Sequence, residues 1–167
     1  MSAAPDDIAV RVRTLATLLT RRHQKLATAE SCTGGLIAGA LTALAGSSVW
    51  FDRGWVTYSN NAKSDELGVD PALIASHGAV SEAVAAAMAE GARRTAHTDF
   101  ALSVTGIAGP DGGTAEKPVG TVCFGWATST RTQTDIQQFA GDRQQIREQS
   151  VAHALSGLIA LLMDDAG

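Results

Sequence analysis

Apolar positions recur along this chain with two periods, and the switch between them predicts an ordered series of helices and strands. Ile8, Val12, Leu15, Leu18 and Leu19 share one face of a first helix. Pro5-Asp6-Asp7 opens it, with acids where the helix dipole favours them, and Arg21-Arg22-His23 ends it. His23 reads as a solvated helix end. Lys25 to Ala29 is a short strand of small residues, and Thr33 to Leu44 reads as a helix of small and apolar ones. Gly46-Ser47-Ser48 breaks the chain. Val49 to Ser59 reads as a strand on the β-formers Val49, Phe51, Trp55, Val56 and Tyr58, and Asp52-Arg53-Gly54 marks a bulge in it. A short helix follows over Lys63 to Leu67, stopped by Gly68, and another runs from Asp70-Pro71 to His77-Gly78.

The second half repeats the alternation. Ser81 to Ala96 is a helix capped by Ser81, with a packing stripe of Val84, Met88 and Ala92 rich in alanine. Asp99 to Val104 is a buried strand. Val119 to Thr128 and Thr134 to Phe139 form an antiparallel hairpin around Ser129-Thr130-Arg131. Asp142 caps a long last helix that buries Ile146, Val151, Leu155, Leu158, Ile159 and Leu162. The series predicts an α/β fold, a single layered domain with a mixed β-sheet flanked by helices. No repeat, linker or low-complexity segment divides it, so residues 1–167 read as one domain with a core over about 8–162.

Composition narrows the partners. Of the 167 residues 45% are hydrophobic and 18% charged, as in a globular protein with a substantial core. The formal net charge is −4 and no basic run stands out, which argues against nucleic acid. Cys32 and Cys123 cannot build a disulfide scaffold, and no Cys/His cluster points to a metal. Met1 to Asp7 lacks a signal pattern, and no apolar run reaches the roughly 18 residues of a membrane span. A cytoplasmic protein with reduced thiols is the expectation.

The chemistry concentrates at three places. The first is the junction after the Lys25 strand, Glu30-Ser31-Cys32-Thr33-Gly34-Gly35. A strand that turns straight into a helix exposes its junction at the sheet's carboxyl edge, where open α/β sheets bind ligands. Ser31 offers a hydroxyl, Gly34 and Gly35 allow close backbone approach, and the free N–H groups of a helix start would favour an oxyanion or phosphate. Ser31 as a plain N-cap is the competing reading. Glu30 is expected to face away or to hold a backbone N–H.

The second place is the glycine-rich loop Thr105-Gly106-Ile107-Ala108-Gly109-Pro110-Asp111-Gly112-Gly113, which matches neither a Walker A loop nor a dinucleotide fingerprint. Its backbone N–H groups would cradle an anion, or it is a long turn. The third is Gly141-Asp142-Arg143, where a cation in the first helical turn opposes the dipole and reads as an anion clamp. Arg147, one turn on, is a second clamp or a surface charge. Lys63 is the lysine placed to serve as a base once desolvated, and Tyr58 would assist it. His77 and His153 read as capping or packing residues.

Taken together these segments resemble the C-terminal domain family of the competence/damage-inducible protein CinA. The resemblance rests on Thr28 to Gly35, Val56-Thr57-Tyr58-Ser59-Asn60, Gly68-Val69, His77 to Ser81, Val104 to Gly113, Lys117 to Val122 and Gly141-Asp142-Arg143. It spans about residues 8 to 162. The family's enzymatic members are nicotinamide-nucleotide amidases, which convert nicotinamide mononucleotide to nicotinate mononucleotide and ammonia. The chain is similar to the stand-alone form, without the molybdopterin-binding-like domain of longer members. Asn61 stands where the family usually carries Glu, while Lys63 is kept.

The resemblance implies a serine amidase that needs no cofactor and no metal. Ser31 would attack the carboxamide, Lys63 would take and return the proton, and Tyr58 would assist the relay. Backbone N–H groups near Thr33 and Gly34 would hold the oxyanion. The loop from Thr105 to Gly113, with Gly106, Gly109, Gly112 and Gly113, would hold the phosphate with Arg143. The expected partner is a small-molecule nucleotide, with no nucleic acid and no membrane. A homo-oligomer is expected, with the exposed part of Trp50, Phe51 and Trp55 as a contact; core packing is the alternative. Two competing readings are a cysteine amidase using Cys32 and a histidine, and a nucleotide-binding or regulatory module without catalysis.

Overall fold

The computed structural model describes residues 5–165, so Met1 to Ala4, part of the stretch read for a targeting signal, lie outside the described residues. Helix α1 (Pro5–Arg21) leads into β1 (Leu26–Glu30), α2 (Leu36–Thr42), a short 3-10 turn (Ser47–Val49) and β2 (Phe51–Val56). Helices α3 (Asn60–Leu67), α4 (Pro71–His77) and α5 (Glu82–Ala96) precede β3 (Phe100–Gly106), β4 (Thr121–Ala127), β5 (Thr132–Gln138) and α6 (Arg143–Asp164). The strands form one five-stranded sheet in the order β2-β1-β3-β4-β5. β1 pairs parallel with β2 and β3, whereas β3, β4 and β5 pair antiparallel. The sheet is mixed, as expected.

The two faces of the sheet carry residues of different size. Leu26, Leu102, Val104, Val122, Phe124 and Trp126 point to the side covered by α1, α2 and α6. Ala27, Ala29 and Ala101 point to α5, which answers with Val84, Met88 and Ala92. The period of two along each strand produces this division. Small residues on the α5 side let that helix lie close: the Ser103 hydroxyl donates to the Ala85 carbonyl, and a Cβ on Gly125 would crowd the same carbonyl. The Asp52 bulge is present, since Leu26 pairs with Phe51 and Ala27 with Arg53.

Several boundaries differ from expectation. Helix α2 starts at Leu36 rather than Thr33, because Gly34 and Gly35 adopt φ of 57° and 100° and prolong the turn. Helix α3 starts at Asn60, three residues before Lys63, since the Ser59 hydroxyl accepts from Ala62 N–H and caps it. The strand expected over Val49 to Ser59 is confined to Phe51–Val56. Asp142 caps α6 as expected, with Gln145 completing a capping box. Trp50 lies in the core on the α1 and α2 side, while Trp55 packs against the α5 side, so they form no joint surface patch. His153 packs on Phe124 and bonds Asp135, and His77 ends α4. No helix among the described residues is long and apolar enough to cross a membrane.

Gly157 of α6 faces Trp126, whose indole N–H donates to the Ala154 carbonyl at 2.9 Å. A Cβ there would collide with the indole ring. Overpacking costs about 1–3 kcal/mol, against a gain of at most about 1 kcal/mol from helix propensity. Gly157→Ala is therefore expected to lower the urea midpoint at unchanged slope; a raised midpoint would show that Trp126 shifts freely.

Candidate active site

The turn 31–35 hangs between three strand ends. Ser31 N–H donates to Val104 O of β3 at 2.9 Å, and Thr57 N–H, just beyond β2, donates to Glu30 O of β1 at 2.9 Å. The chain leaves β1 for β2 on one side, and β3 lies on the other, so the turn sits where the connections diverge. That crevice at the carboxyl ends is the place where such sheets hold ligands.

Ser31 does not cap α2. The cap is supplied by Glu30, almost fully buried, whose two carboxylate oxygens accept from Ile37 N–H at 2.9 Å and Ala38 N–H at 3.1 Å. A carboxylate at a helix start is favourable through both the dipole and the hydrogen bonds. Glu30 thus holds backbone N–H groups, as expected. It also occupies the helix terminus on which an oxyanion or phosphate site was expected, so those N–H groups are not available. Gly34 N–H is taken as well, donating to Ser31 O at 3.0 Å. No oxygen among the described residues accepts from the amides of Cys32 and Thr33.

Arg147 braces the turn from behind. Its Nε donates to Cys32 O at 3.0 Å and its Nη2 to Thr33 O at 3.2 Å. In a trans peptide C=O and N–H point opposite ways, so a guanidinium on the Cys32 carbonyl directs Thr33 N–H away from itself. Arg147 is neither a surface charge nor a clamp within the cleft.

Lys63 meets the serine. Its Nζ lies 3.1 Å from Ser31 Oγ and donates to Thr57 O at 2.9 Å. Only 1% of Lys63 is exposed. Side chains on a helix lean toward its N-terminus, which carries Nζ from the second turn of α3 back to Thr57 and Ser31. Burial in a low dielectric penalises the ammonium and lowers the Lys63 pKa from its ordinary 10.5. No carboxylate ion-pairs with Lys63 among the described residues. A neutral amine can keep its N–H on Thr57 O and offer its lone pair to the Ser31 hydroxyl.

A cleft of about 290 Å3 opens over this pair. Ser31, Cys32, Tyr58, Lys63, Thr105, Gly106, Gly109 and Arg143 line it, so most of the expected residues converge. Thr33, Gly34, Gly35, Gly112 and Gly113 do not line it. Thr33 is fully buried, and Gly113 is a turn position at φ 87° where a Cβ would crowd Val119. The Thr105 hydroxyl is committed to Ala79 O at 2.9 Å. Arg143 reaches from the start of α6 to Gly109 O at 2.8 Å and to the Tyr58 hydroxyl at 3.0 Å. Tyr58 is thus held by Arg143 at the cleft mouth and forms no hydrogen bond to Ser31 or Lys63.

Asn60, Ala79, Val80 and Asp111 also line the cleft and were not singled out from sequence. Asn60 lies in the polar run after β2 and Asp111 in the glycine-rich loop, which were the available signals; Ala79 and Val80 carry none. Asn61 faces elsewhere, toward a groove with Ser64 and Pro71. Burial pushes the Cys32 thiol up to about 12, and no histidine lines the cleft. A larger groove of about 680 Å3, with Gln24, Arg93, His97 and Asp165, lies at the other end of the sheet and holds no nucleophile paired with a base.

Comparison with known proteins places the chain. The chain is 52% identical over 141 residues to the nicotinamide-nucleotide amidohydrolase PncC of Escherichia coli K12, covering 84% of the chain and 86% of that protein. It is 47% identical over 156 residues to PncC of Pseudomonas putida, covering 93% and 98%. It also matches a CinA-like protein of Syntrophobacter fumaroxidans at 52% over 148 residues, spanning 89% of the chain but only 35% of that longer protein. The crystal structure of competence/damage inducible protein CihA from Agrobacterium tumefaciens superposes with a TM-score of 0.92 at 47% identity, over 96% of the chain and 99% of that one. The model of the CinA C-terminal domain matches residues 9–162, and with it the identification is complete: the chain belongs to the CinA C-terminal domain family.

Proposed function

We propose that this chain is a nicotinamide-nucleotide amidohydrolase that uses Ser31 as nucleophile and Lys63 as general base. The observation that carries the reading is the 3.1 Å approach of Ser31 Oγ to a buried Lys63 Nζ at the floor of an open cleft. The relatives named PncC support the substrate, a nicotinamide nucleotide. Ser31 Oγ bonds to the carboxamide carbon as its proton passes to Lys63. The amide of Cys32, which lines the cleft, stabilises the oxygen anion of the tetrahedral adduct, with Arg147 fixing the turn that carries it. The C–N bond breaks and Lys63 returns the proton, so ammonia departs and an ester remains on Ser31. Water then gives its proton to Lys63, its oxygen attacks the ester, and the proton goes back to Ser31 as nicotinate mononucleotide leaves.

At the mouth, Arg143 carries the charge that meets the phosphate, and Tyr58, bonded to it, positions the substrate. The Thr105–Gly113 loop closes the same side through the Arg143 contact to Gly109 O. A cysteine nucleophile is disfavoured by the raised Cys32 pKa and by the missing histidine.

Three outcomes are expected. Purified protein releases ammonia from nicotinamide mononucleotide, Ser31→Ala loses at least about 10²-fold in kcat, and Cys32→Ala retains activity. No release from intact protein would leave a nucleotide-binding module instead, and release that survives in Ser31→Ala would move the nucleophile. The rate depends on neutral Lys63, so kcat rises with pH through a single ionisation below 10.5 and falls as Lys63 is protonated at lower pH. A rate still climbing at pH 10.5 would contradict this. Arg143→Ala raises KM for the nucleotide by about tenfold or more, as loss of a charge-assisted contact requires; an unchanged KM would assign Arg143 to structure alone.

A further inference from the structure

The charges that line the cleft are unequal in their commitments. Lys63 is desolvated and donates to Thr57 O. Arg143 donates to Gly109 O and to Tyr58. Asp111 is the one acidic side chain among the cleft-lining residues, and its carboxylate has no hydrogen bond or ion pair among the described residues. Its place is nonetheless defined. Arg143 holds the loop two residues earlier at Gly109, and Lys117 holds it later by donating to His77 O at 2.8 Å. Ile107 N–H to Thr121 O and Gly120 N–H to Ile107 O close its base at 2.9 and 2.8 Å.

We propose that Asp111 reads the positive charge of an N1-substituted pyridine ring, so that the cleft selects quaternised pyridine carboxamides over uncharged ones. This rests on the amidohydrolase reading above. A carboxamide that reaches Ser31 brings its ring into the cleft with it. In a nicotinamide nucleotide that ring carries a full positive charge at nitrogen, and the phosphate carries the opposite sign. The apolar walls from Ala79, Val80, Ile107 and Ala108 offer no side-chain hydrogen bond that could tell a charged ring from a neutral one. A free carboxylate can, because the attraction between opposite charges strengthens beside low-dielectric walls. The cleft is then dipolar in the same sense as its substrate, with Asp111 for the ring and Arg143 for the phosphate. A neutral Lys63 fits the same scheme, since an ammonium there would repel the cationic ring.

The test uses Asp111→Asn, close to isosteric at an exposed loop position, in a Ser31→Ala background so that bound ligand is not consumed. Dissociation constants are measured for nicotinamide mononucleotide, for nicotinamide riboside, which keeps the ring charge and lacks the phosphate, and for reduced nicotinamide mononucleotide, which keeps the phosphate and lacks the ring charge. Asp111→Asn is expected to weaken the first two by about tenfold and the third by less than about twofold, with the difference shrinking as salt is added. An equal loss for all three would assign Asp111 to the ribose or the loop and overturn the proposal, as would no loss at all. Ammonia release from nicotinamide mononucleotide by the intact protein is measured alongside. Its absence would overturn the functional reading and this inference with it; its presence with a uniform or absent Asp111 effect would overturn the inference alone.

Discussion

A lysine buried without a carboxylate partner is the constraint on which this site depends. Water would hold the Lys63 ammonium charged, and burial removes that water. The same burial sets the amine 3.1 Å from Ser31, where a charged ammonium would be useless as a base. The fold bears a cost for this. The folded pKa of Lys63 lies below the unfolded value of 10.5, so the unfolded chain binds the extra proton between the two values, and stability rises with pH across that window. Below the folded value the penalty of protonating a buried amine is present in full. A group placed against the stability of its own domain is a mark of function rather than of folding.

The remaining architecture fixes Ser31 beside that amine. Three strand ends meet at the turn, and a buried Glu30 and a half-buried Arg147 brace it from opposite directions of the backbone. Glu30 accepts from the first N–H groups of α2, and Arg147 donates to the Cys32 and Thr33 carbonyls. The glycines at 34 and 35 allow the extra turn between strand and helix that separates these two contacts. Small residues under α5 bring that helix down on Ala27 and Ala29 of β1, the strand that leads into Ser31. A preorganised turn of this kind stabilises developing charge without rearranging during the reaction.

The fold was legible because its signals were periodic. The continuous apolar run of β3 specified a buried strand, and the stripe in α5 specified both an element and the face it buries. The mixed sheet followed from the order of elements together with the short hairpin between β4 and β5. Boundaries were less legible where polar residues had two uses. Ser59 reads as a strand end, whereas its hydroxyl accepts from Ala62 N–H and makes it a helix cap. Thr33 to Gly35 reads as a helix start until the positive φ values of two glycines push that start to Leu36. In the site, Arg143 was legible as a cation placed against the helix dipole, Ser31 from its strand–helix junction, and Lys63 and Tyr58 from their chemistry. Their partners were not, because contacts such as Arg143 to Tyr58 span 85 positions of sequence. The bracing role of Arg147 and the occupation of the α2 terminus by Glu30 likewise depend on tertiary geometry that no local pattern carries.

Direct titration of Lys63 by nitrogen-15 NMR in the folded protein tests the central claim most closely, with Lys63→Arg used to assign its signal. The serine–lysine mechanism predicts a midpoint below 10.5 and a neutral amine at the pH where turnover is maximal. A Lys63 ammonium that titrates at its ordinary value would mean that the amine is charged beside Ser31, and the serine–lysine mechanism would not stand.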